Sequence, residues 1–540
     1  TDIDSLKNET YICTLENLEK IFQPDQHLYS ITLPTGFGKT LTAYAVADKI
    51  RHLSGNHDAK IVISIPFTSI IDQNFEVYKR VLEPTSNDVL LKHHHLAEPN
   101  YKDSSERVFD YDKSQFLIET WQSETIVTTF VQFLETILSM DKTKMMKLCQ
   151  LRNAVILLDE IQTIPYCLWE TIRKSFVSLS ETLNVYIVLI SATQPLIFTP
   201  KEDIFELVDD YQKYFKVFNR TRLHYYEGAI PFESFIGLVS RYMQEEPTKD
   251  VLVILNTKNA ARKCFEELVN LKFENTDYFF LSTLITPFER KLIIQKIKVK
   301  GENRKLIIST QLIEAGVDIS VDTVFRQLSP IDSIIQSAGR ANRYNEKMAI
   351  SDIYLYELDG EYQRATSLIY GSDLILKTRN VLKGYREVDE SEYLELIERY
   401  FLEVRKQSNE TTSHLLEAIL GLKFGEINLS FIEERKTESV FIQLNDEAKR
   451  VWKQYVELCS DGKITPWERK SRFSEFKSVF YDYVINVPVP FGEKKICFDS
   501  EQLFGFYLSS LESPSSFYSF SAVDLTRNTG YITNKQLVTI

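Results

Sequence analysis

The segment LPTGFGKT at residues 33–40 constrains the fold of this chain more than any other part of its sequence. It follows the apolar run 27–33 and precedes residues 41–50, which have helical periodicity, so it joins a predicted strand to a predicted helix. Two glycines let the backbone curl until successive N–H groups and the helix N-terminus point at a phosphate. Strand, glycine-rich loop, GKT and helix together predict an α/β domain that binds a nucleoside triphosphate.

Lys39 and Thr40 complete this phosphate site. We expect the Lys39 ammonium at the β- and γ-phosphates of ATP and the Thr40 hydroxyl at Mg²⁺. Position 33 is leucine where the strict pattern GxxxxGK[ST] has glycine, so the second half of the motif carries the cradle. The residues predicted to bind the nucleotide are Pro34, Thr35, Gly36, Phe37, Gly38, Lys39 and Thr40.

A second candidate catalytic group, in the run VILLDEIQ, ends the apolar strand predicted at 154–159. We expect Asp159 to bind Mg²⁺ and Glu160 to orient or deprotonate the attacking water. Two adjacent carboxylates at the tip of a buried strand are costly unless a cation lies nearby. On its own, an apolar strand that ends in DE is about as often a helix cap, but its position downstream of GKT favours the metal site.

Short apolar runs alternate with helix-length periodic segments over residues 28–200 and again over 250–360, which predicts parallel sheets covered by helices. A more polar stretch near 200–245 is expected to join the two parts, and helical patterns dominate beyond residue 365. The predicted strands are 27–33, 60–65, 125–129, 154–159, 185–191, 251–255, 278–281, 305–309, 323–325 and 352–356. The predicted domains are 1–215, 216–365 and 366–540.

Two segments of the second part carry further candidate residues, STQLIEAGVDIS at 309–320 and QSAGRANR at 336–343. Gln336, Arg340 and Arg343 have the spacing i, i+4, i+7, which predicts one shared helical face. Two guanidinium groups on one face can stabilise a delocalised phosphoryl charge. The alternative is a solvated basic face of a helix.

The composition narrows the classes of function. The net formal charge is −13, so no global basic field draws the chain onto nucleic acid, and a nucleic-acid site has to be a local groove. The six cysteines show no CxxC spacing, which argues against a disulfide framework and a zinc site. Neither a signal-peptide pattern nor an apolar run of about 18 residues occurs. We therefore expect a cytoplasmic protein without membrane contact.

Five motifs, LPTGFGKT, DEIQ, SAT, the GVD segment and QSAGRANR, occur in the order typical of superfamily 2 helicases, which the chain resembles over residues 28–345. The resemblance implies two tandem RecA-like parallel-sheet domains and a mostly helical C-terminal accessory region. It also implies that ATP binds in the cleft between the two domains. The residues that it assigns to the nucleotide side of the second domain are Gly316, Asp318, Gln336, Arg340 and Arg343. The residues that it assigns to coupling between nucleotide and nucleic acid are Ser191, Ala192 and Thr193.

The same resemblance places single-stranded nucleic acid across the tops of both domains, held by hydroxyl and backbone N–H groups at strand ends. Such a groove of neutral donors is compatible with a net charge of −13. Taken singly, each threonine is more often an ordinary strand residue. The matching positions are Pro66, Thr68, Ser69, Thr128, Thr129, Thr257 and Thr310.

DEIQ in place of DEAD or DEAH, together with IPFTSIIDQN, HHHLAEP and TIVTTFVQFLETI, resembles the CRISPR-associated helicase of type I interference systems. That family implies an ATP-dependent 3′-to-5′ translocase on single-stranded DNA, recruited by a guide-RNA surveillance complex. Its histidine–aspartate nuclease domain needs several histidine ligands, but His27, where the first predicted strand begins, is the one histidine in residues 1–27. We expect a motor without nuclease activity, the nuclease being trimmed off or a separate protein. The cluster at 93–95 is interpreted as structural, with DNA contact as the alternative.

Two other functions stay open at this point. One is an RNA helicase or remodeller from a different branch of superfamily 2. The other is an ATP-gated nucleic-acid-binding module without turnover, which the complete set of Lys39, Glu160 and Arg343 argues against. The sequence does not determine the CRISPR subtype or the oligomeric state.

Overall fold

The structure is a computed structural model of the 540-residue chain. It describes residues 3–66, 68–84, 86–94, 101–105, 107, 109–139, 141–192, 197–198, 204–314, 317–343, 349–411, 416–417, 419, 421, 437–489, 502–510, 518–519 and 529–531.

The described secondary structure alternates strands and helices as far as residue 382 and then becomes mainly helical, with short strands. The strands are β1 (Leu28–Thr32), β2 (Ile61–Ile65), β3 (Leu90–His93), β4 (Thr125–Thr129), β5 (Val155–Asp159), β6 (Tyr186–Ser191), β7 (Ile204–Glu206), β8 (Thr221–Ile230), β9 (Val251–Ile254), β10 (Thr276–Leu281), β11 (Arg304–Ser309), β12 (Thr323–Gln327), β13 (Ser351–Leu358), β14 (Glu387–Asp389), β15 (Thr437–Gln443), β16 (Val484–Pro488), β17 (Tyr507–Ser510), β18 (Tyr518–Ser519) and β19 (Gly530–Tyr531). The helices are α1 (Ile3–Ile21), α2 (Lys39–Leu53), α3 (Thr68–Leu82), α4 (Tyr111–Glu119), α5 (Phe130–Leu138), α6 (Lys142–Leu148), α7 (Trp169–Leu183), α8 (Gln212–Val217), α9 (Phe232–Glu245), α10 (Lys258–Asn270), α11 (Pro287–Lys298), α12 (Ile331–Ala338), α13 (Gly360–Tyr370), α14 (Ser372–Leu382), α15 (Tyr393–Thr411), α16 (Asp446–Ser460), α17 (Pro466–Ser474) and α18 (Lys477–Tyr481).

The chain forms two compact units. The first comprises residues 1–218 and 391–432, and the second comprises 219–390 and 433–540, so the chain passes between them three times. The helix α15 belongs to the first unit, where Phe401 packs its ring edge-on against Trp169 at a centroid distance of 5.8 Å. The predicted domain ranges stay predictions.

The first unit contains a seven-stranded sheet in the order β3-β4-β2-β5-β6-β1-β7, with every pair parallel. Every residue of β1, β2 and β4 is buried, as expected for central strands covered on both faces. The carboxyl ends of parallel strands share one edge of a sheet, so the loops after β1, β2, β4 and β5 meet there.

The second unit contains a seven-stranded sheet in the order β10-β11-β9-β12-β13-β8-β14, in which β14 alone runs antiparallel to its neighbour. The prediction that residues 200–245 form a polar connection was wrong, because β8 and α9 lie within them. The sequence TRLHYYEGAI of β8 is half polar because its outer half is exposed, which masks the strand pattern.

A smaller sheet, β16-β15-β17, packs against α16, α17 and α18 around an aromatic core in the C-terminal part of the second unit. Phe441, Trp452 and Phe480 lie at its centre, with ring centroids 4.8–6.3 Å apart. The predicted mostly helical accessory region therefore also contains a sheet that sequence patterns did not reveal.

The antiparallel pair of β18 and β19 is fastened to the start of α11. The Thr286 N–H donates to the Tyr518 hydroxyl at 2.7 Å, and that hydroxyl donates to the Glu289 carboxylate. A Cβ at Gly530 would lie 2.4 Å from the Leu284 carbonyl oxygen, so the two backbones approach more closely than any other residue permits. In the described part of the chain, no helix is long and apolar enough to cross a membrane.

Candidate nucleotide and nucleic-acid site

The loop after β1 has the backbone geometry of a phosphate cradle. Gly36 and Gly38 have φ angles of 84° and 78°, in the left-handed region that glycine adopts without strain, and Gly38 is the N-cap of α2. Both glycines are exposed, and a Cβ built on either meets no described atom within 4 Å. The loop therefore presents open backbone N–H groups at the N-terminus of a 15-residue helix.

Two side chains of this segment have different surroundings. Phe37 is 1% exposed and packs its ring against Phe218 and Tyr214, at centroid distances of 5.6 and 5.4 Å. The Lys39 ammonium donates to the carbonyl oxygen of Leu33 at 3.3 Å, which folds this cation back over the loop. The aromatic anchor holds the loop, and the lysine is left at its concave side for an anion.

Glu206 on β7 supports the strand that carries this loop, and sequence reasoning missed it. Its carboxylate accepts from the Thr32 N–H at 3.1 Å, the Thr32 hydroxyl at 2.7 Å, the Ser30 hydroxyl at 2.9 Å and the Val208 N–H at 3.0 Å. Burial raises the pKa of Glu206, and these donors oppose the rise. No local motif marks this residue, because the sheet brings it beside β1 from far along the chain.

Asp159 ends β5 in a setting that suits a bound cation. Burial raises the pKa of Asp159 to about 7, the charge of Glu160 adds to the rise, and the nearby Lys39 ammonium opposes it. Among the described residues, none donates a hydrogen bond to its buried Oδ1 atom. A divalent cation fits here, because it would satisfy this oxygen and offset both negative charges.

Glu160 follows with a φ angle of 53°, a left-handed conformation that is uncommon for glutamate. Its Oε2 accepts from the Gln162 amide, and the Gln162 Oε1 accepts from the Ser191 hydroxyl at 2.9 Å. Gln162 thus joins the predicted water-activating carboxylate to the SAT segment. Sequence reasoning missed Gln162 as a functional residue, although it stands inside the DEIQ motif. Ala192 is buried next to Ser191, and Thr193 lies outside the described residues.

The predicted nucleic-acid contacts of the first unit lie at the same edge. Thr129 pairs in register with Ile65, so it lies beside Pro66, which follows β2. The Thr129 hydroxyl caps α5 by accepting from the Gln132 N–H at 3.2 Å, whereas the buried Thr128 hydroxyl has no partner among the described residues. Thr68 and Ser69 begin α3, and their side chains lie outside the described part of the chain.

His93 occupies a buried cluster at the end of β3. The Trp121 indole N–H donates to its Nδ1 at 3.2 Å, and its Nε2 lies 3.7 Å from Glu119, which pairs with the buried Lys147 at 2.9 Å. Burial lowers the pKa of His93. This is the structural role predicted for His93. His95 lies outside the described residues, within which no group of three or more His, Cys, Asp or Glu side chains is arranged to hold a metal.

In the second unit, the prediction that Gln336, Arg340 and Arg343 share a helical face was wrong. The helix α12 ends at Ala338, and Gly339 caps it, so Gln336 alone lies on the helix. The next residues pair with Val321 instead: the Val321 N–H donates to the Arg340 carbonyl, and the Asn342 N–H donates to the Val321 carbonyl, both at 3.0 Å. The spacing i, i+4, i+7 could not reveal that this backbone pairing replaces the last helical turn.

This pairing brings together Asp318 and Arg343, which the family resemblance assigns to the nucleotide. The Arg343 Nε lies 3.0 Å from the Asp318 carboxylate, and the Arg343 N–H donates to the Ser320 hydroxyl at 3.0 Å. Arg343 keeps about a quarter of its side chain exposed, at 26%, whereas Arg340 is buried and donates to the Glu314 carbonyl. Gly316 lies outside the described residues.

Thr257 and Thr310 lie at the carboxyl edge of the second sheet, after β9 and β11. These strands are adjacent and parallel. The Thr257 hydroxyl caps α10 by accepting from the Ala260 N–H at 3.0 Å, and Thr310 is buried. Their predicted contacts with nucleic acid stay predictions.

Two family models match this chain. One is described as CRISPR-associated nuclease/helicase Cas3, C-terminal, and matches residues 247–346. The other is described as type III restriction enzyme, res subunit, and matches residues 9–195. The two matched ranges hold the arginine segment of the second unit and the phosphate loop of the first.

Curated relatives agree with these matches. The CRISPR-associated nuclease/helicase Cas3 of Haloferax volcanii is 27% identical over 421 residues, which are 59% of this chain and 45% of that protein. The Cas3 of Methanothermobacter thermautotrophicus is 26% identical over 288 residues, which are 47% of this chain and 33% of that protein. The match thus spans less than half the length of either relative.

Solved structures share the fold. The crystal structure of T. fusca Cas3 with AMPPNP superimposes with a TM-score of 0.67 at 15% identity, over 92% of this chain and 67% of that one. A CRISPR RNA-guided surveillance complex in a pre-nicking state contains a chain that matches with a TM-score of 0.58 at 15% identity, over 96% of this chain and 68% of that one. These likenesses confirm the predicted class of two tandem parallel-sheet domains with an accessory region.

Proposed function

Since this chain is a relative of the CRISPR-associated superfamily 2 helicases, we propose that it is an ATP-driven motor in type I CRISPR interference. The motor translocates 3′-to-5′ along single-stranded DNA and unwinds the target. One observation carries the proposal. The glycine loop, Lys39 and Asp159, whose surroundings suit a bound cation, lie at the same edge of the first sheet.

The residues at this edge suit a triphosphate with its metal. Backbone N–H groups of the loop and the Lys39 ammonium bind the phosphates, and Thr40 and Asp159 supply oxygen ligands for Mg²⁺. Bound Mg²⁺ would neutralise charge on the phosphate oxygens. Glu160, held by Gln162, orients a water molecule and accepts its proton.

The second unit contributes positive charge to the same reaction. Arg343 is the arginine best suited to contact a phosphate, because its side chain is partly exposed and Asp318 orients it. Arg340 is buried and fixes the neighbouring backbone. In this proposal, Arg343 reaches the nucleotide when the units close during turnover.

We propose the partners of this chain from what its relatives are named for. The surveillance-complex structure supports a guide-RNA complex as the body that delivers DNA to this chain. The curated relatives are named as nuclease/helicases, and we propose that nuclease activity comes from a histidine–aspartate nuclease outside the residues of this chain.

Steady-state ATP hydrolysis, measured without nucleic acid, with single-stranded DNA and with single-stranded RNA, tests the proposal. We expect DNA to raise the rate at least tenfold more than RNA does, and fluorescent-strand displacement to require a 3′ single-stranded overhang. Stimulation by RNA alone would indicate the RNA helicase. Tight ATP-dependent DNA binding without hydrolysis would indicate the binding module.

A further inference from the structure

Arg326 lies at the centre of the second sheet, on β12, with 0% of its surface exposed. One terminal nitrogen donates to the Asn256 Oδ1 at 2.6 Å. The other donates to Glu314 at 2.8 Å, to the Ser333 hydroxyl at 3.0 Å and to the Tyr370 hydroxyl at 3.1 Å. A buried charge of this kind needs hydrogen-bond partners, and the two terminal nitrogens of Arg326 reach four separate segments of the chain to obtain them. Its buried Nε has no partner among the described residues.

Glu314 extends this cluster towards the arginine segment. Its carboxylate accepts from the Ser333 hydroxyl at 2.8 Å and from the Ser337 hydroxyl at 3.2 Å, one turn apart on α12. Its backbone carbonyl accepts from Arg340. Glu314 therefore holds α12 by its side chain and Arg340 by its main chain.

Asn256 extends the cluster in the other direction, towards the carboxyl edge of the sheet. It immediately precedes Thr257, and its carbonyl accepts from the Gln311 amide at 3.1 Å, next to Thr310. Its side-chain amide donates to the Leu328 carbonyl at 2.8 Å and to the Thr366 hydroxyl at 3.0 Å. The two candidate nucleic-acid residues of the second unit are thus attached to the same buried group as α12 and Arg340.

Stability alone does not account for this arrangement. Desolvation of two charges costs about as much as their attraction returns, and well-packed apolar residues often replace a buried ion pair without loss. A buried pair whose hydrogen bonds join several segments does restrict the geometry of each segment. Here those segments are the ones that carry Thr257, Thr310 and Arg340.

We infer that Glu314 and Arg326 are positioning residues that couple the nucleic-acid edge of the second unit to its arginine segment. Nucleic acid bound at Thr257 and Thr310 shifts the loops that hold Asn256 and Gln311, and the ion pair passes this shift to α12 and Arg340. Neither residue contacts either ligand. This inference rests on the proposed function, because it explains how DNA accelerates ATP hydrolysis.

The test removes both charges and keeps the packing, in the double variant Glu314→Gln/Arg326→Met. We expect the ratio of DNA-stimulated to unstimulated ATP hydrolysis to fall roughly tenfold, while the unstimulated rate, the KM for ATP and the affinity for single-stranded DNA change by less than about threefold. The variant Arg326→Lys keeps the charge but not the planar fork. It should retain a ratio between those of the wild type and the double variant.

The matched control is Glu357→Gln/Arg379→Met. This pair lies in the same unit and is also shielded from solvent on its acidic side, but its hydrogen bonds join β13 to α13 and α14. We expect its stimulation ratio to stay at the wild-type value.

An unchanged ratio in a folded Glu314→Gln/Arg326→Met variant overturns the inference, as does an equal loss in the control pair. If the double variant does not fold, as judged by its melting temperature, the ratio of Arg326→Lys decides in the same way. A wild-type chain that DNA does not stimulate would overturn the proposed function itself, and that outcome is visible before any variant is made.

Discussion

The two large sheets have the same strand order and differ in strand direction only at the seventh position, yet the loops at their carboxyl edges differ. The sixth position in the order is β1 in the first unit and β8 in the second. After β1 come the six loop residues 33–38, with two glycines in left-handed conformation, and then α2. After β8 comes Pro231 alone, and α9 starts at the next residue. The first loop presents backbone N–H groups to an anion, whereas the second consists of one proline, which has no N–H to donate.

The fourth position shows the same contrast. Asp159 ends β5 and Glu160 follows it, whereas Leu328, Ser329 and Pro330 follow β12 and lead into α12. The arginines of the second unit come instead from a segment paired with Val321, which lies ahead of β12 and so at the opposite edge of its sheet. The two units use the same type of sheet as a scaffold. The first unit places its charged groups at the carboxyl edge of its sheet, and the second places its arginines at the opposite edge.

The strongest test of this contrast is Lys39→Ala. We expect ATP hydrolysis to fall to background, because the first unit holds the phosphate cradle and this variant removes its cation. Lys49→Ala is the control, since Lys49 lies on the same helix and pairs with Glu19 at the surface. Hydrolysis near the wild-type rate in folded Lys39→Ala would mean that the phosphates bind elsewhere.

Arg343→Ala should have the next largest effect. An arginine finger typically contributes about 10³–10⁵-fold to phosphoryl transfer, and we expect a loss of about 10³-fold here because the neighbouring Arg340 is buried and held by the Glu314 carbonyl. The KM for ATP should change little, since the binding residues lie in the first unit. Unchanged hydrolysis in a protein with a normal melting temperature would reduce Arg343 to an ion-pair partner of Asp318.

Each unit has a buried carboxylate, and these two groups allow the units to be compared by the pH dependence of stability. Four hydrogen bonds are donated to the Glu206 carboxylate. Glu289 is fully buried, and burial raises its pKa from 4.5 to about 7. Between these two values the folded state holds a proton that the unfolded state has lost, so stability falls as the pH rises from about 4.5 to about 7.

Glu289→Gln should remove this pH dependence, which amounts to about 3 kcal/mol at most. Chemical denaturation of both proteins between pH 4 and pH 8 measures it as a difference that grows with pH. A constant difference in the free energy of unfolding across that range would show that Glu289 has the same pKa in the folded and the unfolded protein.

The smallest expected effects are changes in stability when one glycine of each unit is replaced by alanine. Gly38→Ala forces a Cβ into the left-handed region and should cost about 1–2 kcal/mol of stability, with a weaker affinity for ATP. Gly237→Ala, on an exposed turn of α9 where no described atom lies within 4 Å, should instead stabilise by about 0.5–1 kcal/mol. Equal effects of the two changes in thermal melts would mean that the loop conformation at Gly38 is not required.

The central strands of both sheets could be predicted from sequence, because parallel strands covered on both faces read as continuous apolar runs. β3, β8 and β14 could not: β3 and β14 are edge strands of only four and three residues, and the outer half of β8 is exposed and polar. Motifs identified the cradle and Asp159, whose chemistry is local. Glu206, Gln162 and Arg326 were missed because their roles depend on hydrogen bonds to residues that only the fold brings near.

The return of the chain to the first unit at residues 391–432 limits how such a protein can be divided. The hydroxyl of Tyr211 donates to Glu398 on α15 at 3.2 Å, and Phe401 covers Trp169. If the gene were split after codon 218, the first product would expose Tyr211 and Trp169. The second product would carry α15, which contacts both residues in the intact chain. Division of labour between two polypeptides at this site would therefore require that they reassociate, and a split reporter built there would read out that reassociation.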